Sequence, residues 1–309
     1  MSTVNPVVIT SKQAKRQINH FGWSLLIYIL LFTILRHGMH TLYTAVPQWF
    51  FGLDEELAQL ALTGGALLFV TLIPFNISSF ALHLHIRDYL RNPQLKFSHM
   101  VGLICVGIGL YLTVTSLSSL FYFFFHTQGM QYAYLGDFST WDSMIKNGVY
   151  VIVFVLIKPI CDEYIFRGII QRQLGHYGRY FGVLASAFLY AIAQTNLVNA
   201  ISMFSIGWFL SLLTLRTHSI RPAICVHIML ELFLYGLDVI PGKYLWVTTI
   251  LIVLIYGGAG IYLFTTHTDT GMVRYGATEV KLWHILLTTF TIVLAMILFV
   301  INSVLSLNL

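Results

Sequence analysis

Asp162-Glu163-Tyr164-Ile165-Phe166-Arg167-Gly168 lies inside an apolar stretch running from about residue 147 to residue 172. Two adjacent acids and an arginine cost several kcal/mol to bury in hydrocarbon unless they face a protein interior and find partners there. A stretch of this kind therefore reads as an interior helix of a membrane bundle. Its ionisable groups are candidate functional residues, and the plainer alternative is an ion pair that only locks helices together.

The rest of the chain agrees with that reading. Of 309 residues, 57% are hydrophobic and only 9% are charged, with a mean hydropathy of +0.78. A soluble domain carries about 25% charged residues, so the composition is that of a polytopic membrane protein. Apolar windows of about 20 residues, the length a hydrocarbon core of about 30 Å demands, recur near 21–45, 58–82, 98–124, 147–172, 180–196, 199–216, 221–239, 245–265 and 283–306. The fifth and sixth are short and are joined by Gln194-Thr195-Asn196, so the expected fold is an all-α bundle of eight or nine spans. No internal repeat or Pro/Gly-rich linker divides it, which leaves a transporter built from symmetric halves without support. The polar segment Met1–His20 precedes an apolar span without a small-residue cleavage site, and a retained first helix is expected.

Charge sets an orientation. With the N-terminus inside, the inner loops hold twelve basic residues: Lys12, Lys15, Arg16, Arg87, Arg91, Lys96, Arg172, Arg179, Arg216, Arg221, Arg274 and Lys281. The outer loops hold only Lys146 and Lys243, against Asp54, Glu55, Glu56, Asp137, Asp142 and Asp238. That asymmetry predicts a cytoplasmic N-terminus. The bases are scattered at helix ends without interleaved aromatics, so the net charge of +5 does not indicate nucleic acid. Membrane lipids are the expected surroundings, and a membrane peptide or protein the expected partner.

Within the spans remain Arg36, Lys158, Asp162, Glu163, Arg167, His227 and Glu231. With histidine neutral, their charges cancel, as mutual pairing inside a bundle requires. Lys158 and Asp162 are four apart, as are Glu163 and Arg167, and each pair shares a helix face. Asp162 and Glu163 point about 100° apart, so one can face a site while Arg167 holds the other. His227 and Glu231 are four apart on the seventh span, so the fourth and seventh spans are expected to touch. Gln194 is offered by the fifth.

Here a family resemblance enters. Asp162-Glu163-x-x-x-Arg167 resembles the Glu-Glu-x-x-x-Arg motif of the CAAX-processing and bacteriocin-processing (CPBP, or Abi) intramembrane endopeptidases. Tyr190-x-x-x-Gln194 falls where that family has Phe-x-x-x-His, and His227-x-x-x-Glu231 where it has His-x-x-x-Asn. The resemblance covers residues 147–240. It implies a four-helix CPBP-like core there; the hydropathy and charge pattern places a cytoplasmic segment (1–20) and three spans (21–146) before it and two further spans (241–309) after it. By the same resemblance, Asp162 would activate a water, with Glu163 and Arg167 as its support and His227 as an oxyanion donor. No cofactor is implied.

Three positions depart from the pattern, each with a physical meaning. Asp162 shortens the acid's reach by one methylene, a displacement worth about 10²-fold in rate. Gln194 can orient a water but takes no proton near neutral pH. An ionised Glu231 repels a developing oxyanion, where loss of even one neutral donor costs about 3–4 kcal/mol. Lys158 and Glu231 stand where the family has no charge, which suggests an ion pair across the former site. The expectation is a non-catalytic scaffold that binds a membrane peptide or protein, as in bacteriocin immunity. The competing expectation is an active endopeptidase that cleaves a lipidated protein, leader or signal peptide using Asp162 and His227. A zinc site built from His227, Glu231 and Asp162 is a further alternative. The resemblance and the absence of an ER-retention signal point to a bacterial plasma membrane.

Several features take plainer readings. Cys105, Cys161 and Cys225 fall in apolar segments as packed thiols. His37 and His40 beside Arg36 are read as reaching for the interface, and His83 with His85 as a helix end. Phe121–Phe125 fits an aromatic belt. Gly257-Gly258-x-Gly260 fits close helix packing.

Overall fold

The computed structural model describes residues 11–84, 90, 93, 95–124, 144–194, 197–238 and 277–305, and every described element is helical. Helix α1 spans Ser11–Ala45, and a 3₁₀ turn at Pro47–Phe50 leads to α2 (Glu55–Val70). Asp54 caps α2 by accepting the Leu57 N–H at 2.9 Å. The helix runs on through a π-wound segment, Thr71–Phe75, into α3 (Asn76–Ala81). Pro74 lies inside that segment, where it cannot donate to the ladder, and the Asn76 amide bonds the Thr71 and Leu72 carbonyls instead. Helix α4 (Phe97–Phe124) follows.

Residues 144–175 form one continuous helical rod: α5 (Met144–Tyr150), α6 (Lys158–Glu163) and α7 (Arg172–Gly175), joined by π-wound turns at Val151–Ile157 and Tyr164–Gln171. Helices α8 (Arg179–Ile192), α9 (Leu197–Thr217) and α10 (Arg221–Asp238) complete the expected core. Helices α11 (Ala277–Thr288) and α12 (Phe290–Leu305) return along α1, where Asn302 donates to Thr33 at 2.8 Å. One apolar cluster joins these elements, from Phe21 and Leu25 on α1 to Ile165 and Phe166 on the rod and Leu286 and Ile292 at the C-terminal end.

Small residues let the helices approach. A Cβ on Gly182 of α8 would lie 2.7 Å from the Gly175 nitrogen, so only glycine allows this hairpin to close. Likewise a Cβ on Gly107 of α4 would meet Val226 of α10 at 2.8 Å.

The expected count of eight or nine spans is reached only in part. Among the described residues, four helical stretches have the length and composition of a span: Ser11–Leu35, Glu55–Ala81, Phe97–Ser118 and Asn199–Thr217. The bent pair Lys281–Thr288 and Phe290–Val304 makes a fifth if it crosses as one, but it turns by 67° where a single straight span was expected. The expected fourth, fifth and seventh spans exist as helices without meeting that standard. The rod carries Lys158, Asp162, Glu163 and Arg167. Helix α8, at 14 residues, is about 21 Å long, short of the hydrocarbon thickness. Helix α10 carries Arg221, Glu231 and Asp238. The window at 245–265, with Gly257-Gly258-x-Gly260, lies outside the described residues, as do His85, Arg87 and the side chains of Arg36, His37 and Phe121–Phe125.

Candidate functional site

The charged cluster forms where α6 and the π-wound turn after it meet α10 on one side and α8 and α9 on another. Asp162, Glu163, Arg167 and His227 are fully buried, and the Glu231 side chain keeps 10% of its exposure. The two faces expected from the four-residue spacings are both occupied as anticipated. Lys158 Nζ lies 3.2 Å from Asp162 Oδ2, and Arg167 Nε lies 3.2 Å from Glu163 Oε2. The fourth and seventh expected spans do touch: His227 Nδ1 is 2.9 Å from Glu163 Oε1.

Arg167 is the largest fully buried side chain described. Its guanidinium lies 4.7 Å from the centre of the Tyr190 ring, and its Nη2 donates to the Gly207 carbonyl at 3.0 Å. A Cβ on Gly207 would stand 3.2 Å from that nitrogen and 3.0 Å from the Tyr190 ring, so the missing side chain is what admits the guanidinium. One helical turn on, Gln171 donates to the Ser211 carbonyl at 2.8 Å, extending the polar seam between the rod and α9.

Lys158 bridges the rod to α10. Its ammonium is 3.2 Å from Asp162 and also 3.6 Å from Glu231 Oε1, so the pair suggested by the two unusual charges is present. The same Glu231 oxygen lies 3.6 Å from His227 Nε2. One cation thus stands between the acid that would activate a water and the residue beside the oxyanion position. Among the described residues, no group of three His, Cys, Asp or Glu side chains is arranged to hold a metal ion. The ammonium between Asp162 and Glu231 is the physical obstacle to the set Asp162, His227, Glu231, because a cation already holds both acids.

Gln194, the candidate from the fifth expected span, bonds to its own helix. It lies two residues beyond the end of α8, and its amide donates to the Tyr190 carbonyl at 3.3 Å, one of the open carbonyls of the last turn. Tyr190 itself takes the place facing His227, with its hydroxyl 3.4 Å from Nε2 and 3.6 Å from Met203 Sδ. A second tyrosine arrives from α1: Tyr28 donates to Asp162 Oδ1 at 3.3 Å. Sequence reasoning used Tyr190 only as a motif position and passed over Tyr28, which is one aromatic among many in an apolar span.

His40 is exposed and pairs with Glu55 at 3.0 Å, while His83 ends its helix at φ 54°. The three cysteines are free thiols.

Residues 144–233 match the family model described as type II CAAX prenyl endopeptidase Rce1-like. The match supports a CPBP-family assignment for this segment, which is under a third of the chain. It begins at α5 and ends just past Glu231, so it contains the charged cluster apart from the contribution of α1. No curated protein and no solved structure matches the chain. The helical architecture and the family together describe a multi-pass membrane protein with a CAAX-protease-like core.

Proposed function

We propose that this protein is a non-hydrolytic CPBP-type membrane scaffold whose core binds a membrane peptide or protein, in an immunity or cell-envelope role. The reading rests on the Lys158 ammonium, 3.2 Å from Asp162 and 3.6 Å from Glu231. A carboxylate acts as a general base through a free oxygen that reaches a water, and through a proton affinity near the working pH. An ammonium held against one oxygen of Asp162 takes that oxygen away from a water. Beside it, Glu231 stands where the family pattern has a neutral amide, and Gln194 is engaged with its own helix. The bias of basic residues supports a cytoplasmic N-terminus, and the family resemblance supports a bacterial plasma membrane.

The test is cleavage of quenched fluorescent peptides, lipidated and unlipidated, by the full chain in lipid nanodiscs. No cleavage that depends on Asp162 is expected. A membrane partner crosslinked to the core is expected to remain bound to folded Asp162→Asn protein. Turnover that vanishes in His227→Ala, whether or not it survives Asp162→Asn, would overturn the proposal.

One observation favours the second reading, an active endopeptidase. Glu163 holds His227 through Nδ1 at 2.9 Å, leaving Nε2 towards Tyr190 and Glu231. A carboxylate that orients an imidazole and leaves its other nitrogen facing a site is the arrangement from which general bases are made. In that case activity survives Asp162→Asn in part and is lost in Glu163→Gln.

A further inference from the structure

Four aromatic rings run edge to face through the centre of the bundle. Tyr28 of α1 meets Phe166 at 6.3 Å and 85°, Phe166 meets Tyr190 at 4.9 Å and 62°, and Tyr190 meets the His227 ring at 6.2 Å and 81°. The run begins outside the matched segment 144–233 and ends on the last motif. Each tyrosine in it delivers a hydroxyl to the charged cluster. Tyr28, 4% exposed, donates to Asp162 Oδ1, while Asp162 Oδ2 faces Lys158. A phenol this deeply buried requires a polar partner, and Asp162 Oδ1 is the one it reaches, at the long distance of 3.3 Å. The Tyr28 ring packs against Phe166 and against Phe32, whose centre lies 4.7 Å away.

We infer that Tyr28 is a positioning residue of the site and that α1 completes it. The phenol fixes the rotation of the Asp162 carboxylate, so that one oxygen is kept for Lys158 and the Lys158–Glu231 bridge stays in register. The groups facing Asp162 are then Lys158 on its own helix, Tyr28 on α1, and Glu231 through Lys158 on α10. This inference rests on the scaffold reading in that the bridge is the resting state of the site.

The experiment is infrared difference spectroscopy of the full chain in nanodiscs, with the Asp162 carboxylate band identified by subtracting the Asp162→Asn spectrum. Tyr28→Phe retains the ring and removes only the hydroxyl. It is expected to shift the antisymmetric carboxylate stretch of Asp162 and to have no effect in the Asp162→Asn background. Tyr43→Phe removes a tyrosine hydroxyl bonded to the Leu53 carbonyl far from the cluster and is expected to leave the band in place. Difluorotyrosine incorporated at position 28 keeps the hydroxyl and makes it more acidic, so it should move the band opposite to Tyr28→Phe and remains informative if that variant folds poorly. A band unmoved by both changes would overturn the inference. Peptide cleavage dependent on Asp162 would instead overturn the scaffold reading and leave the role of Tyr28 standing, so the two failures are distinguishable.

Discussion

The molecule contains two ion networks of similar chemistry in opposite surroundings. At one end of the bundle, Lys146 of α5 holds Asp54 at 3.2 Å and Glu56 at 2.6 Å, and the acids are about half exposed. In the interior, Lys158, Asp162, Glu163, Arg167, His227 and Glu231 are linked by contacts of 2.9–3.6 Å, and the three acids keep at most 10% of their side-chain exposure, although Lys158 keeps 18%. The contact distances overlap, so geometry alone does not rank the two. Solvent does. Water screens the exposed network and replaces any lost partner, whereas the interior offers a stranded charge no substitute. The same pair of residue types is therefore dispensable at one place and required at the other.

The sharpest way to break this comparison is to strand an interior charge. Arg167→Met leaves Glu163 buried beside His227 without its cation, and a loss of about 3–5 kcal/mol is expected in denaturant or thermal unfolding. Arg167→Lys is not expected to rescue it, because an ammonium replaces the planar fork that reaches Gly207 and covers the Tyr190 ring. Equal stability of wild type and Arg167→Met would show that the interior is wetter than its burial indicates.

Next in size is the bridge across the site. Glu231→Gln is expected to destabilise the protein, and Lys158→Met combined with Glu231→Asn to restore most of the loss, with a coupling of about 1–3 kcal/mol in the cycle. Additive losses would mean that the two side chains do not share an interaction.

Packing comes third. Gly207→Ala places a methyl against Tyr190 and the Arg167 guanidinium and is expected to cost about 1–3 kcal/mol. Gly148→Ala, where a Cβ meets nothing within 4 Å, should be neutral or slightly stabilising by the same assay.

The smallest effect belongs to the exposed network. Lys146→Met should leave thermal stability within the error of the measurement. Acid titration sharpens the point. The Leu57 N–H, followed by Lys146, holds the Asp54 carboxyl below the ordinary aspartate range. Its folded pKa is depressed, so its contribution is present at neutral pH and is lost as pH falls through that lowered value. Asp54→Asn should remove only this shallow acid-side dependence.

Much of the interior was legible before any coordinates. Lys158 with Asp162, and Glu163 with Arg167, follow from one helix turn of spacing. The link between α10 and the rod followed from charge balance, and Lys158–Glu231 from two unusual charges of opposite sign. These were readable because local periodicity and electroneutrality act on residue type alone. The span count was less legible, since short or charged helices inside a bundle need not look like isolated spans. The local bond of Gln194 was not legible either, because a motif position says nothing about where a helix stops; its side chain serves the open end of α8.

The sequence by itself determined a helical membrane protein with a CPBP-like core segment, and a buried charge cluster of nearly zero net charge. Only the tertiary structure decided that the Tyr190 hydroxyl faces His227, that Gly207 makes room for Arg167, and that Tyr28 of α1 closes on Asp162. The physical reason is range. Helix spacing and charge pairing are written in neighbouring residues, but the contact between Tyr28 and Asp162 depends on how whole helices pack.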